Sequence, residues 1–253
     1  MLVNFTLCFL GALGISLLFI PFLQKVAQAK GLFDLPDHRK QHVQPTPSLG
    51  GLAIFAGFLG MVILFVEVTQ VAHFHLLLLL VSAIVMVGLY DDLFDMRASR
   101  KAFFQVMIIS LLFFYGYRLE GLEGIPYLDH FSPLLSYFAT VLFFMLLINA
   151  YNLIDGIDGL AGSLTLYANL VFAWLFYAAG SPDWSLLALA LSAATLGFLR
   201  YNFHKASIFM GDSGSMFLGL MIGIFSVQYL QCCGPETAGT SNLLIIMAIV
   251  IIP

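Results

Sequence analysis

The amino-acid sequence predicts an all-α integral membrane protein, a helix bundle that crosses the bilayer several times. Hydrophobic residues make up 61% of the 253 residues and charged residues only 9%, whereas a soluble globular domain carries roughly 25% charged residues. The apolar residues also fall into long stretches, and a spanning helix needs about 20 of them in succession. Composition and patterning together exclude an ordinary soluble protein.

The apolar stretches predict eight complete transmembrane helices and a ninth within which the chain ends. They cover residues 2–24, 49–66, 74–90, 102–118, 134–152, 162–180, 184–199, 214–232 and 242–253. The first stretch has no basic leader and exceeds the core of a signal peptide, so it is expected to be a membrane anchor. The stretch 102–118 is short for a membrane span, but Lys101 and Arg118 lie at its ends and can extend to the lipid headgroups.

The chain shows neither a low-complexity linker nor an internal repeat. We therefore expect one transmembrane domain over residues 1–253, truncated within its ninth helix. The basic residues predict its orientation, because nine of the ten lysines and arginines fall on odd-numbered loops and only Arg118 falls on an even-numbered one. The positive-inside rule then places the odd loops in the cytoplasm and the N-terminus outside.

Acidic pairs at the ends of apolar stretches are the main functional signal. Asp91 and Asp92 end the third stretch, and carboxylates beside hydrocarbon are costly and usually functional. Adjacent carboxylates repel each other, so a bound cation or a held proton is expected there. If the helix continues, Asp91 and Asp95 share a face. The alternative is a solvated helix end with these partners: Arg97, Arg100 and Lys101.

The fifth loop carries amides and acids at helical spacing. On a continuous helix Asn149 and Asn152 share a face, as do Asp155 and Asp158. Their oxygens are hard ligands that suit Mg²⁺ or Mn²⁺. Glycines recur at every third position: Gly156, Gly159 and Gly162. A small-residue packing face would explain the glycines but not the two acids and two amides.

The first and seventh loops add groups that suit phosphate. Lys40 and His42 in the first loop can make charge-assisted bonds to phosphate oxygens. The alternative is a basic juxtamembrane loop that contacts anionic lipid, which would have the same kinds of residue. Asp212 precedes the eighth stretch in a glycine-rich segment. It is either a helix N-cap or a metal ligand, with nearby backbone N–H groups and Ser213 or Ser215 facing phosphate oxygens.

Three motifs resemble those of the polyprenyl-phosphate N-acetylhexosamine-1-phosphate transferase family. They are Asp91-Asp92-x-x-Asp95, Asn149-Ala-x-Asn152-x-x-Asp155-Gly-x-Asp158-Gly-Leu160 and Phe209-Met-Gly-Asp212-x-Gly-Ser215, and the first loop adds Lys40, His42, Pro47 and Gly50-Gly51. The resemblance covers the whole chain in order. It implies transfer of a sugar-1-phosphate from a UDP-sugar to undecaprenyl phosphate, release of UMP, and Mg²⁺ or Mn²⁺ as the cofactor.

The resemblance also implies residue roles. The expected catalytic residues are Asp91, Asp92, Asp155 and Asp158. The expected substrate-binding residues are Lys40, His42, Asn149, Asn202 and Ser213. Asp212 and Asn152 are the expected metal ligands. The expected partners are the UDP-sugar, the lipid phosphate and the inner (plasma) membrane, with the site on its cytoplasmic face and no nucleic acid; a homodimer is left open.

With aspartate at position 95, the motif Asp91-Asp92-x-x-Asp95 resembles that of the N-acetylglucosaminyl branch, because the phospho-MurNAc-pentapeptide branch typically has lysine there. The expected reaction is therefore the first membrane step of cell-envelope polysaccharide synthesis, as for lipopolysaccharide O-antigen, with the pentapeptide transferase as the alternative. The family normally continues into a histidine-bearing loop, whereas this chain stops at Pro253. A secondary transporter is the alternative from another class, and it would place its acids near the membrane midplane.

Overall fold

The computed structural model describes residues 2–32, 46–67, 71–121, 130–203 and 205–232, and these form eight α-helices without a β-strand. The helices are α1 Leu2–Lys30, α2 Gly50–Phe65, α3 Phe74–Phe94, α4 Ala98–Phe114, α5 Pro133–Ile154, α6 Leu160–Ala178, α7 Pro182–Asn202 and α8 Gly211–Cys232. Several of them run past the predicted apolar stretches into polar residues, because hydropathy marks the part of a helix in lipid and not its hydrogen-bonded end.

Six of these helices are long and apolar enough to cross a membrane; α2 and α4 are shorter, with 16 and 17 residues. The prediction of an all-helical, multi-pass membrane protein is confirmed. The predicted count of eight complete spans and a truncated ninth is not supported. Residues 242–253, the expected ninth helix, lie outside the described residues.

Helices α7 and α8 form the centre of the bundle. In their membrane windows 83% and 78% of the residues are buried, against 28% to 33% for α1, α3 and α5. Helix α7 packs against α1, α2 and α6, while α8 packs mainly against α3 and α5. Outer helices expose leucine and phenylalanine side chains, as expected for surfaces in contact with lipid.

Close approach of α3 to α8 depends on Gly88. A methyl group on its Cα would lie 2.5 Å from the carbonyl oxygen of Asp212 and 2.5 Å from the Cα of Ser213. Only a residue without a side chain fits at that separation. The last turns of α3 therefore lie directly against the first turn of α8, which brings the acids of two different motifs together.

One end of the bundle, hereafter the motif end, is where α3, α5 and α7 finish and α2, α4, α6 and α8 begin. Backbone hydrogen bonds join the segment before α2 to the segment before α8. Phe209 N–H donates to Pro47 O, and Gly50 N–H donates to Phe209 O, both at 2.8 Å. Two segments about 160 positions apart are thereby held side by side, which sets the backbone frame of the site.

Candidate active site

The motif segments meet at the motif end, as the sequence predicts. Described parts of the first, third, fifth and seventh loops all contribute hydrogen bonds there. Lys40 and His42 fall in residues 33–45, outside the described residues. Their substrate-binding role therefore stays a prediction.

Four carboxylates and one ammonium group lie close together at the motif end, and we call Asp91, Asp92, Asp155, Asp212 and Lys101 the acidic cluster. Lys101 Nζ, in the first turn of α4, lies 2.8 Å from Asp212 Oδ2 and 2.9 Å from Asp91 Oδ2. The Lys101 side chain is only 15% exposed, so solvent screens these ion pairs weakly. Within the cluster, acids outnumber the basic group.

Asp92 connects α3 to α8 through backbone groups. Its Oδ1 accepts from the N–H of Asp212 at 2.7 Å, and its Oδ2 accepts from the N–H of Ser213 at 3.0 Å. Those N–H groups belong to the first turn of α8, which has no intrahelical acceptors for them. A carboxylate there satisfies the donors and lies at the positive end of the helix dipole. Asp92 thus acts as an N-terminal cap donated by another helix.

Asn152 links α5 to the same turn of α8. Its Nδ2 donates to Asp212 Oδ1 in a very close contact and to Ser215 Oγ at 3.0 Å. The two predicted metal ligands are therefore adjacent. An amide whose plane turns by half a revolution presents its oxygen in place of its nitrogen. The pair thus has the donor chemistry for a hard cation.

Asp155 follows the last residue of α5 and lies beside the start of α8. Burial raises the pKa of its carboxyl, and the nearby charges of Asp92 and Asp212 raise it further, while a hydrogen bond from the Gly211 backbone N–H acts in the opposite direction. A group whose ionised form is disfavoured by neighbouring carboxylates becomes easier to ionise when a cation enters.

The helical spacing considered for the fifth loop holds only for its first part, Asn149 and Asn152. Helix α5 ends at Ile154, and α6 begins at Leu160 after a turn in which Gly159 has φ +72°. Asp155 and Asp158 therefore do not share a helix face. Asp158 Oδ2 accepts from the N–H of Ala206 at 3.2 Å. Gly159, directly before α6, has a left-handed backbone that residues with a β-carbon rarely adopt.

Asp91 and Asp95 do not form the shared helix face that a continued helix would give. Helix α3 ends at Phe94, and Asp95 takes a left-handed conformation, φ 51°, with an exposed side chain. Asp91 instead accepts the backbone N–H of Met96 at 2.5 Å, which closes the end of α3. The third acid of that motif lies outside the acidic cluster.

The remaining predicted site residues have different surroundings. Asn202 is buried; its Oδ1 accepts from Gly159 N–H and its Nδ2 donates to Ile208 O, each at 2.9 Å. Asn149 is exposed and donates to Met145 O at 2.6 Å. Ser213 is fully buried in the first turn of α8. Asn202 joins the fifth loop to the seventh, and a substrate role for these three residues stays a prediction.

Sequence reasoning did not identify Lys101 as a member of the site. Its position just before the short apolar stretch 102–118 suggested either a side chain that extends to the lipid headgroups or a partner of a solvated helix end. The structure places its ammonium group between acids of α3 and α8. The available signal was the paired occurrence of two acids and a lysine on one short loop, but the acid from the distant seventh loop could be found only in three dimensions.

The acidic cluster is suited to a divalent cation by charge and by ligand type. Asp212 and Asn152 supply adjacent oxygen-bearing groups, and excess negative charge surrounds them. In the part of the chain that the structure describes, no three His, Cys, Asp or Glu side chains already converge on one point as metal ligands. A cation held here would therefore use the Asn152 amide or water, as Mg²⁺ commonly does.

The fold and the site define a polytopic membrane protein with a charged, cation-suited cluster at one end of its bundle. Residues 74–230 match Glycosyl transferase family 4. That match covers more than half of the chain, and the chain belongs to this family. It contains α3 to α8 almost entirely, and with them every member of the acidic cluster.

Curated relatives agree with this assignment. The chain is 34% identical over 233 residues to a probable undecaprenyl-phosphate N-acetylglucosaminyl 1-phosphate transferase of Bacillus subtilis, covering 89% of this chain and 63% of the relative. It is 32% identical to the undecaprenyl-phosphate alpha-N-acetylglucosaminyl 1-phosphate transferase of Yersinia pestis, covering 81% and 57%. A phospho-N-acetylmuramoyl-pentapeptide-transferase of Geobacillus thermodenitrificans is 32% identical, covering 87% and 72%. The chain thus spans about 60% of the length of the first two.

Proposed function

We propose that this protein transfers N-acetylhexosamine-1-phosphate, specifically N-acetylglucosamine-1-phosphate, from a UDP-sugar to undecaprenyl phosphate, with release of UMP. The acidic cluster at one end of a membrane bundle carries the proposal, because it lies where a lipid phosphate and a soluble nucleotide can both reach it. Family membership and the names of the relatives support it. The product would enter cell-envelope polysaccharide synthesis, as for lipopolysaccharide O-antigen.

The reaction exchanges one phosphoanhydride for another. An oxygen of the lipid phosphate forms a bond to the phosphorus that carries the sugar, and the bond from that phosphorus to the UMP oxygen breaks. Because several negative phosphate groups approach one another, positive charge at the site lowers the barrier. Bound Mg²⁺ or Mn²⁺, held by Asp212 and Asn152, would supply most of that charge. Lys101 supplies a further positive group within the acidic cluster.

We assign the acids to two tasks. Asp91 would orient the lipid phosphate or accept its proton, because its carboxylate lies beside Lys101 at the motif end. Asp92 would hold the first turn of α8 in place so that Asp212 keeps its position. Asp155 and Asp158, at opposite sides of the fifth-loop turn, would act on the nucleotide phosphates together with Lys40 and His42. Asn149 would contact substrate from its exposed position.

The site is proposed to face the cytoplasm across the inner membrane. Lys25 and Lys30 end α1 at the motif end, where Gln24 Nε2 donates to Ser207 O at 3.1 Å. Arg118 pairs with Glu120 at the opposite end. The test is labelling of single cysteines, Lys205→Cys at the motif end and Glu120→Cys opposite, with a probe that does not cross membranes. Labelling of position 205 from the periplasmic side would reverse the orientation.

The decisive experiment is measurement of UMP release by the purified protein in lipid vesicles with undecaprenyl phosphate and Mg²⁺. We expect release with UDP-N-acetylglucosamine as donor. Release only with UDP-MurNAc-pentapeptide would favour the second candidate, to which the Geobacillus relative points. Absence of release with either donor would contradict the proposal. We also propose a homodimer, which a mass measurement of the solubilised protein tests.

A further inference from the structure

Lys101 occupies the position of a bridging cation. Its Nζ is within 2.9 Å of carboxylate oxygens from two helices, Asp91 Oδ2 on α3 and Asp212 Oδ2 on α8. The other oxygens of these two acids also have partners, since Met96 N–H donates to Asp91 Oδ1 and Asn152 Nδ2 donates to Asp212 Oδ1. Each oxygen of both carboxylates therefore has a partner before any cation arrives.

A divalent cation at Asp212 would disturb these partners unequally. The Asn152 amide can rotate and offer its oxygen, so it changes from a donor to a ligand. The Lys101 ammonium has only donors and a positive charge, and it repels a second cation at short distance in a weakly solvated site. Of the two groups on Asp212, Lys101 is thus the one that the cation displaces.

The Lys101 side chain has room to move away from Asp212. It begins in the first turn of α4, with a flexible four-carbon stem, and the residues around it at the helix start, Arg97 to Arg100, are exposed at the motif end. Movement of the ammonium away from Asp212 keeps it at the surface where the phosphates must bind. The same group that neutralises the acids without substrate would then face substrate phosphate.

We propose that Lys101 is an exchangeable counter-ion, which occupies the cation position between Asp91 and Asp212 and leaves it for substrate phosphate when the divalent cation binds. This inference rests on the proposed function for the presence of the cation. It has a consequence opposite to that of a lysine that merely supports the fold or recruits metal. Removal of the ammonium should strengthen cation binding and at the same time slow transfer.

The first test is Mn²⁺ binding, measured by electron paramagnetic resonance on the purified protein without substrate. Lys101→Met should lower the Kd for Mn²⁺ by at least about tenfold, and Lys101→Arg, which retains the charge, should leave it within about twofold of the unaltered protein. Arg100→Met is the matched control, because it removes one charge from the same turn of α4 at an exposed position. Unchanged or weaker Mn²⁺ binding by Lys101→Met would overturn the inference.

A second measurement needs no substitution. Acetylation of lysines by a soluble reagent, followed by mass spectrometry, should proceed faster at Lys101 in saturating Mg²⁺ than in chelator, whereas Lys25 and Lys30 should react equally in both. An equal or slower rate at Lys101 would overturn the inference even if Lys101→Met fails to fold. Two results separate this inference from the proposed function. If the unaltered protein binds no Mn²⁺, both the inference and the proposed function fail. If transfer depends on Mn²⁺ but Lys101→Met binds Mn²⁺ as the unaltered protein does, only the counter-ion role fails.

Discussion

The two ends of the bundle treat polar side chains differently. At the end opposite the motifs, several polar side chains bind the backbone of a connecting segment. Ser136 Oγ donates to Leu119 O at 2.5 Å, Thr140 Oγ1 accepts Leu119 N–H at 3.0 Å, and Tyr117 donates its hydroxyl proton to Ala72 O at 2.7 Å. At the motif end, carboxylates are grouped against one another and share one ammonium.

The difference shows what distinguishes structural from functional polarity in this membrane protein. A buried polar group is expected to have a partner, and the groups named here at both ends have one. The motif end differs because its cluster holds four carboxylates and a single ammonium. Asp183 makes the point from the other side, since it is buried at the opposite end and accepts Glu67 N–H at 2.9 Å. An acid near the membrane surface is therefore not by itself a sign of a site.

The largest expected effect is on transfer, from Asp212→Asn. The substitution keeps the shape of the side chain and removes one of the charges that would hold the cation, so turnover should fall at least about 100-fold, the range seen when a preorganised electrostatic group is lost. The measurement is Mg²⁺-dependent UMP release. The control is Asp183→Asn at the opposite end, which should retain most of the turnover. Equal losses in both variants would remove the distinction between the ends.

Gly88→Ala should produce the largest loss of stability. The added methyl group meets Asp212 O and Ser213 Cα at 2.5 Å, so α3 and α8 must separate, and forced overpacking costs about 1–3 kcal/mol. Thermal unfolding in detergent measures this. Gly14→Ala is the matched control, because no atom lies within 4 Å of the added carbon, and it should be neutral or stabilising by up to about 1 kcal/mol. Similar losses for both variants would contradict the close packing at the motif end.

Asp155→Asn should stabilise the protein while it impairs transfer. Burial and neighbouring carboxylates raise the pKa of Asp155, so the cost of this group to folding begins as the pH rises above the ordinary aspartate pKa and is complete above the raised pKa. The amide can still accept the Gly211 N–H. In chelator at pH 8 the thermal midpoint should rise by about 2–4 °C if the relief is about 1 kcal/mol, and the gain should disappear as the pH falls towards about 4. A lower midpoint at pH 8 would show that the charge is compensated.

The smallest effect on transfer is expected from the opposite end. Ser136→Ala removes the donor to Leu119 O and should cost about 1–3 kcal/mol of stability if that carbonyl stays unpaired. Turnover per folded molecule should not change, because the serine lies at the other end of the bundle. Thermal unfolding and UMP release on the same preparation separate the two quantities. A fall in turnover without loss of stability would couple the two ends and weaken the contrast.

Much of the site was predictable from the sequence because its parts are local motifs. Asp91, Asp92, Asn152, Asp155 and Asp212 are each singled out by acids or amides at the end of an apolar stretch, and the structure brings them together. The helix face considered for Asp155 and Asp158 does not form, for a local reason. Helix α5 ends at Ile154, so both acids lie beyond it, and helical spacing has no meaning past the end of a helix.

By itself, the sequence determined the class of protein, the approximate helices and the identity of most charged groups, because hydropathy and residue chemistry are carried by single segments. Tertiary structure alone decided which acid meets which partner. Lys101 lies between Asp91 and Asp212, and Asp92 caps α8, because α3, α4 and α8 pack at a glycine contact between residues far apart in the chain. Electrostatic pairing depends on distances of a few ångströms, and such distances between separate helices exist only in the folded bundle.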